Sequence, residues 1–327
     1  MKKFLIITSI FEPNKAIEEF AKYQDWNFVV VGDKKTPKKW GFKNVKYLSP
    51  NDQEKLGYEV LNFLPWNHYS RKIIGYLYAI QNGAELIAES DDDNIPYKNW
   101  DQIPSFGGVH ELIKGGDFVN MYKFFTKEHI WPRGFPLDKV LKDDNRKIKK
   151  QDVKVGVWQF LADDEPDVDA IYRLTINKQV KFDERAPLVL GKGTYCPFNS
   201  QNTFFKKEFF PLLYMPGYTT PRFTDILRGL VAQPILNTFN HHLGFGKATV
   251  YQERNEHDFL KDFESEIPCY LYAEKTITVC EQSVDKNRSV IENLVSCYQN
   301  LVEQEITGEK ELGLVRAWVN DFKNLSR

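Results

Sequence analysis

No stretch of this 327-residue chain approaches the ~20 consecutive apolar residues that a membrane-spanning helix requires, so any membrane contact is expected to be peripheral. Cysteine is scarce as well. The four that occur, Cys196, Cys269, Cys280 and Cys297, show neither CxxC spacing nor the density of a disulfide-stapled secreted domain, which fits buried thiols in a reducing cytosol. Six histidines without Cys/His ligand spacing give no sign of structural zinc. An excess of charge of either sign is also missing: Lys+Arg number 44 and Asp+Glu 45, so no global field recruits nucleic acid or draws acidic membranes. Internal repeats are absent. What remains is a chain with 42% hydrophobic residues, long enough for one large α/β domain with an appendage.

The opening MKKFLIITSIF has the basic start and apolar run of a signal peptide, but Glu12, Pro13 and Asn14 follow where a small-residue cleavage site would stand. Lys3 to Thr8 therefore reads as a strand buried on both faces. A helix over Asn14 to Tyr23 and a second buried strand from Asn27 to Val31 complete a βαβ start. Ligands of such sheets bind beyond the carboxyl ends of the strands, which places Ser9 to Pro13 and Gly32 to Pro37 where a nucleotide could sit. Another helix is expected over Arg71 to Gln81, stopped by Asn82-Gly83, with a strand at Glu85 to Ala88 after it. Lys139 to Lys150 is dense in charge and lacks apolar periodicity, and reads as an exposed loop. From Val284 to Leu325 the apolar positions recur at helical spacing, broken at Thr307-Gly308 into a helical pair. That pair packs as an appendage or, alternatively, serves as a homodimer or partner-docking surface.

The strand at Glu85 to Ala88 delivers Asp91-Asp92-Asp93 at its tip, and Pro96 ends regular structure soon after. Three carboxylates in one turn can converge on a hard cation, Mg²⁺ or Mn²⁺, which is commonly shared with substrate phosphates. The alternative is a solvated turn or helix cap. Position at the end of a central strand favours the ligand reading. Around this run stand weaker candidates, each with an ordinary structural explanation. His257 can be a third metal ligand or a surface residue. Asp225 and Arg228, one helical turn apart, can be a general base and a donor contact, or an exposed ion pair. Arg133, between Pro132 and Gly134, can clamp a diphosphate or be an exposed loop charge. Lys34, Lys35 and Lys38 follow the second strand, and Arg71 opens the next helix, where cations can meet phosphate. The Gly-rich GKGTYCPFNSQNTFF can approach a sugar closely or simply lead into a strand.

Taken in order, VVVGDKKTP, GYLYAIQNGAELIAESDDDN, WPRGFPL, RFTDILRGLVAQ and HHLGFGKATVYQERNEHD resemble the STELLO-type glycosyltransferase family. More distantly they resemble the reversibly glycosylated polypeptides that act as UDP-arabinopyranose mutases. The resemblance spans roughly residues 3 to 265. It implies a GT-A-like fold: a Rossmann-type mixed sheet flanked by helices, with a C-terminal helical appendage. By position it makes Asp91, Asp92 and Asp93 the DXD-like metal and nucleotide-sugar site, puts Asp33 near the base or ribose, makes Asp225 the general base and His257 a metal or pyrophosphate ligand. Arg133 aligns with the arginine of the mutases' RGYP-like motif, which takes part in self-glycosylation. This chain departs from them with RGFP, and with RFTD where they carry RYDD. Plant members are membrane-anchored, and this chain is expected to be a soluble, bacterial-type form.

Residues and resemblance together predict a metal-dependent glycosyltransferase moving a sugar from a nucleoside diphosphate donor to a glycan or other hydroxyl acceptor. Bacterial surface glycan synthesis and a cytoplasmic location, at most at the inner face of the membrane, complete the expectation. Catalytic roles fall to Asp225 and Arg133, donor binding to Asp33, Lys35, Arg71, Asp91, Asp92 and Arg228, and Mn²⁺ or Mg²⁺ to Asp91, Asp93 and His257. The expected domain spans 1–270, divided into a nucleotide half of about 1–125 and an acceptor half of about 126–270, with 271–327 as the appendage. A mutase or self-glycosylating protein and a non-catalytic scaffold are the alternatives.

Overall fold

The computed structural model describes residues 1–142, 146–254 and 258–326. Its strands are β1 (Lys3–Thr8), β2 (Trp26–Val31), β3 (Val45–Leu48), β4 (Leu86–Ser90), β5 (Asn94–Pro96), β6 (Gly107–Lys114), β7 (Asp117–Phe118), β8 (Lys147–Asp163), β9 (Leu188–Leu190), β10 (Thr194–Tyr195), β11 (Asn202–Lys206) and β12 (His241–Gln252). The helices are α1 (Lys15–Phe20), α2 (Pro50–Glu54), α3 (Lys72–Gln81), α4 (Ala170–Thr175), α5 (Pro221–Thr238), α6 (Phe259–Ser283), α7 (Val290–Glu303) and α8 (Lys310–Leu325). Ten strands form one mixed sheet in the order β3-β2-β1-β4-β11-β8-β6-β9-β12-β5. The first four run parallel, with α1 crossing between β1 and β2, a helix-free connection between β2 and β3, and α2 and α3 between β3 and β4. β11 then enters antiparallel between β4 and β8. The expected mixed α/β sheet flanked by helices is thus observed.

Alternation along each parallel strand feeds two cores. Leu5, Ile7, Phe28, Val30 and Ala88 point to the face that α1 covers, whereas Phe4, Ile6, Val29, Val31 and Ile87 point to the face under α3. The second face also buries Tyr298, Leu314 and Trp318 of the last two helices, in one continuous core with the sheet. α3 lies close on β1 because Gly75 has no side chain: a Cβ there would sit 2.4 Å from Ile6 Cγ2. The carboxylate of Asp321 on α8 accepts from the Glu59 and Val60 backbone amides at 2.8 and 2.9 Å, tying the C-terminal helices to the segment between α2 and α3. α6 runs unbroken through residue 270.

The helical pair after residue 284 appears as expected, α7 opened by a Ser289/Glu292 capping box. One expectation needs correction. Lys147 to Lys150 are not loop but the start of β8, paired antiparallel with Glu111 to Lys114. Both faces of that stretch are exposed, so backbone pairing forms without the apolar alternation by which a strand is read. Among the described residues no helix is long and apolar enough to cross a membrane.

Candidate active site

A cavity of about 380 Å³ opens beyond the carboxyl ends of β1, β2 and β4. Its lining includes Ser9, Asp33, Lys35, Arg71, the whole run Asp91 to Asp93, and, from the far side, Arg133, Asp167, Arg222, Asp225 and Arg254. Residues 8 to 254 therefore meet in one crevice, at the place an open α/β sheet offers to ligands.

The acidic run is held open rather than neutralised. Asp91 is the best partnered: Tyr69 donates to its Oδ1 at 2.5 Å, and the fully buried Lys72 ammonium reaches the same oxygen at 3.1 Å. Lys72 is itself fixed by the Ser200 carbonyl at 3.1 Å. Asp92 accepts from the Ser9 hydroxyl at 2.5 Å, while Asn14, which caps α1, binds its backbone carbonyl at 2.7 Å. Asp93 accepts from Gln252 at 2.8 Å through Oδ2, and its Oδ1 is buried without a hydrogen-bond partner among the described residues. Desolvation raises all three carboxyls, and their mutual repulsion adds to it, so Asp92 is pushed up to about 6 and Asp93 to about 7.

The donors are all oxygen, and Asp93 Oδ1 is an unsatisfied buried atom, so Asp92 and Asp93 fit a hard divalent ion. No three acidic, histidine or cysteine side chains converge as a complete cage among the described residues. The remaining coordination would come from ligand oxygens and water. His257 lies outside the described residues.

At the nucleotide end, Asp33 accepts from the Lys34 amide at 2.6 Å and the His68 amide at 3.3 Å. Arg71, buried, stacks its guanidinium 3.5 Å from the Trp66 ring centre and donates to Gln53, which in turn binds the Gly32 carbonyl at 2.7 Å. Burial pushes Arg71 down to about 10. The loop Asn199 to Gln201 from the Gly-rich segment forms part of the wall: Ser200 meets Tyr69 at 2.5 Å and Gln201 donates to Gln252 at 2.9 Å.

At the other end the structure shows how Arg133, Asp225 and Arg228 are engaged. Arg133 is neither an exposed charge nor a free phosphate clamp. Its Nε and Nη2 donate to Asp167 at 2.9 Å each, Nη1 and Nη2 donate to Asp225 at 3.0 Å each, and the second Nη1 proton goes to the Arg222 carbonyl. A guanidinium has five N–H donors, and all five are used. Asp225 is correspondingly occupied: each of its oxygens accepts from Arg133 and from a backbone amide, Ile226 at 3.0 Å or Ser200 at 3.3 Å. The two residues expected to act as base and clamp are thus each other's partners, and both line the cavity. Arg228 does not face the cavity. It pairs bidentately with Glu89 at 2.6 and 2.8 Å in the core, with Tyr76 on the same carboxylate, and makes no ion pair with Asp225.

Sequence reading missed Asp167, Arg222, Arg254, Lys72 and Gln252. Burial alone would raise the Asp167 carboxyl, but Arg133 and Arg222 outweigh it and hold the group well below the usual carboxylate range. Gln252 and Arg254 sit in the same QERNEHD string that drew attention to His257, and the signal available was a strand end carrying several polar residues.

Comparison with known proteins follows the same outline. A family model described as STELLO glycosyltransferases matches residues 222–327. Two Arabidopsis thaliana proteins, probable glycosyltransferases STELLO1 and STELLO2, are 27% and 26% identical over 98% of this chain. The chain spans 44% of the length of each, less than half of the curated relatives it matches. The STELLO-type resemblance carried by the motifs therefore holds along the chain. A crystal structure of S. aureus TarS 1–349 in complex with UDP-GlcNAc aligns with 93% of this chain and 73% of that one, at 13% identity and a TM-score of 0.38, too loose a likeness to carry an argument here.

Proposed function

We propose, from its similarity to the STELLO-type glycosyltransferases, that this chain is a GT-A-like glycosyltransferase that binds a nucleoside diphosphate sugar in the cavity and transfers the sugar to an acceptor hydroxyl. The observation that carries the proposal is the acidic run on the cavity floor, directly at the carboxyl end of β4, with Asp93 Oδ1 buried and without a hydrogen-bond partner among the described residues. In this reading Ser9, Asp33, Lys35 and Arg71 receive the nucleoside, and residues 1–125 form the nucleotide half. Asp92 and Asp93 hold a divalent cation, and Lys72 fixes Asp91 so that the run keeps its shape. When bound, Mn²⁺ or Mg²⁺ would neutralise charge on the departing diphosphate. Residues 126–270 supply the acceptor wall, with the Arg133–Asp167–Asp225 network as its rigid part and the helices of 271–327 behind it.

A mutase or self-glycosylating reading would need Arg133 as an attachment point. Its saturated donors and its charge, locked by two carboxylates, speak against a nucleophilic role. The test is calorimetric titration of nucleosides, nucleoside diphosphates and nucleotide sugars with Mn²⁺ or EDTA. Wild type is expected to bind a diphosphate donor in a cation-dependent way, and the Asp91→Ala/Asp93→Ala protein to lose it. Wild type that binds no donor would sink the proposal and revive the scaffold alternative.

A further inference from the structure

A second cavity, of about 530 Å³, shares no lining residue with the crevice. Six residues around it are basic, Lys114, Lys139, Lys142, Arg146, Lys147 and Lys149, against the single carboxylate of Asp117. The whole chain carries a formal charge of -1, so this concentration is local. Asp138, Asp143 and Asp144 are near in sequence, yet residues 138–150 still hold six cations against three anions. Lys139 is bound by Asp117 at 3.2 Å and Glu274 at 2.7 Å, Lys142 by Asp138 at 3.2 Å, and Arg146 donates to the Gly116 and Phe118 carbonyls. Lys114, Lys147 and Lys149 are exposed and make no ion pair among the described residues.

The Glu274 contact joins this basic surface to an apolar one. On α6, Leu260, Phe263, Ile267 and Leu271 are 69, 38, 41 and 62% exposed. Spaced three and four residues apart, they share one face of the helix, and Glu274, a heptad beyond Ile267, continues the same line to Lys139. Leu141, next to Lys142, is exposed as well. A row of large apolar side chains left in water marks a contact surface.

We infer that the basic cavity and the α6 stripe together form a docking face for an anionic lipid membrane, on which the chain lies peripherally. Two features select this occupant. Five of the six cations are lysines, compact charges suited to a field of lipid headgroups, whereas protein interfaces favour arginine and are depleted of lysine. A second copy meeting this face with its own would set cation against cation. Apolar insertion and polybasic attraction are each weak alone, and in combination they hold a protein at a membrane. The inference is independent of the donor reading, because no residue of the crevice enters it.

The experiment is flotation of the chain with vesicles of phosphatidylcholine alone or mixed in equal parts with phosphatidylglycerol. Wild type should float with the anionic vesicles, stay behind with the neutral ones, and be released as salt is raised. Lys147→Gln/Lys149→Gln should bind roughly 10- to 100-fold more weakly, the worth of two lysines at an anionic surface. Leu260→Gln/Leu271→Gln should lose roughly tenfold or more. All four side chains are exposed, so Tm should not move. The salt response of wild type reads the lysine contribution without any substitution, should a variant fail to fold. Wild type that ignores anionic vesicles overturns the inference, and so does binding that either variant leaves unchanged. Displacement by soluble glycerol 3-phosphate would make the cavity a pocket for a free anion. A dimer in solution that the leucine variant breaks would make the stripe a contact between copies. Each of these two outcomes overturns the membrane face.

Discussion

On the β4 side of the cavity, three successive carboxylates share one lysine, two hydroxyls and a glutamine, and one oxygen has nothing. Across from it, Arg133, Asp167 and Asp225 form a network in which every guanidinium proton meets an oxygen. Both regions are crowded with charge and largely out of water, yet they answer different needs. A closed network has no valence left for a ligand and acts as masonry, rigid and specific in shape. An open one stores unfavourable electrostatics that a ligand relieves, which is how binding energy is made available at the site.

Breaking the closed network should do the most damage. Arg133→Met strands two buried carboxylates, and urea unfolding should show a loss of about 3–5 kcal/mol. If stability is untouched, the network is not structural and Arg133 returns as a candidate for chemistry. The open side should respond in the opposite sense. Asp93→Asn removes one of three mutually repelling charges, so its unfolding free energy should stay within about 1 kcal/mol of wild type or rise. Cation-dependent nucleotide binding should meanwhile fall at least about tenfold. A large loss of stability there would erase the distinction between the two sides.

The smallest effect is one of pH. Asp92 and Asp93 are raised in the folded chain to about 6 and about 7 from the ordinary value of 3.8, so the unfolded chain gives up these protons first and stability is lost progressively as the pH rises through that interval, levelling off above about 7. Without divalent ions, Tm should therefore increase as the pH is lowered from 8 to 6. Mn²⁺ should flatten or reverse this trend, because a cation takes the place of the protons. A Tm that falls steadily over that range, with or without Mn²⁺, would mean that the run is already neutralised.

The same comparison explains what could be read from the sequence. β1, β2 and β4 are continuous apolar runs, and the acidic triplet follows the last of them, so the floor of the cavity and its position were legible. The opposite wall was not. Arg133 reaches Asp167 34 residues away and Asp225 92 residues away, and Arg228 reaches Glu89 across 139. Local spacing suggested an i,i+3 pair between Asp225 and Arg228, but α5 turns them to different partners within the interior. Asp167, in the acid-rich string DDEPDVD, carried no mark to separate it from surface charge. Lys72 was hidden by its place in a helix that reads as apolar cover for the sheet.

β5 and β12 close the cavity by pairing Asn94 to Pro96 with Val250 to Gln252, and the Glu253 amide extends the ladder to the Asp93 carbonyl at 3.0 Å. During synthesis the acidic run leaves the ribosome more than 150 residues before its partner strand, and loop closure over that span is entropically slow. Until β12 arrives, the triplet lacks the Gln252 amide and the Glu253 backbone N–H that hold Asp93 in the folded chain. The nascent chain therefore completes the crevice late, as one event, when β12 pairs with β5.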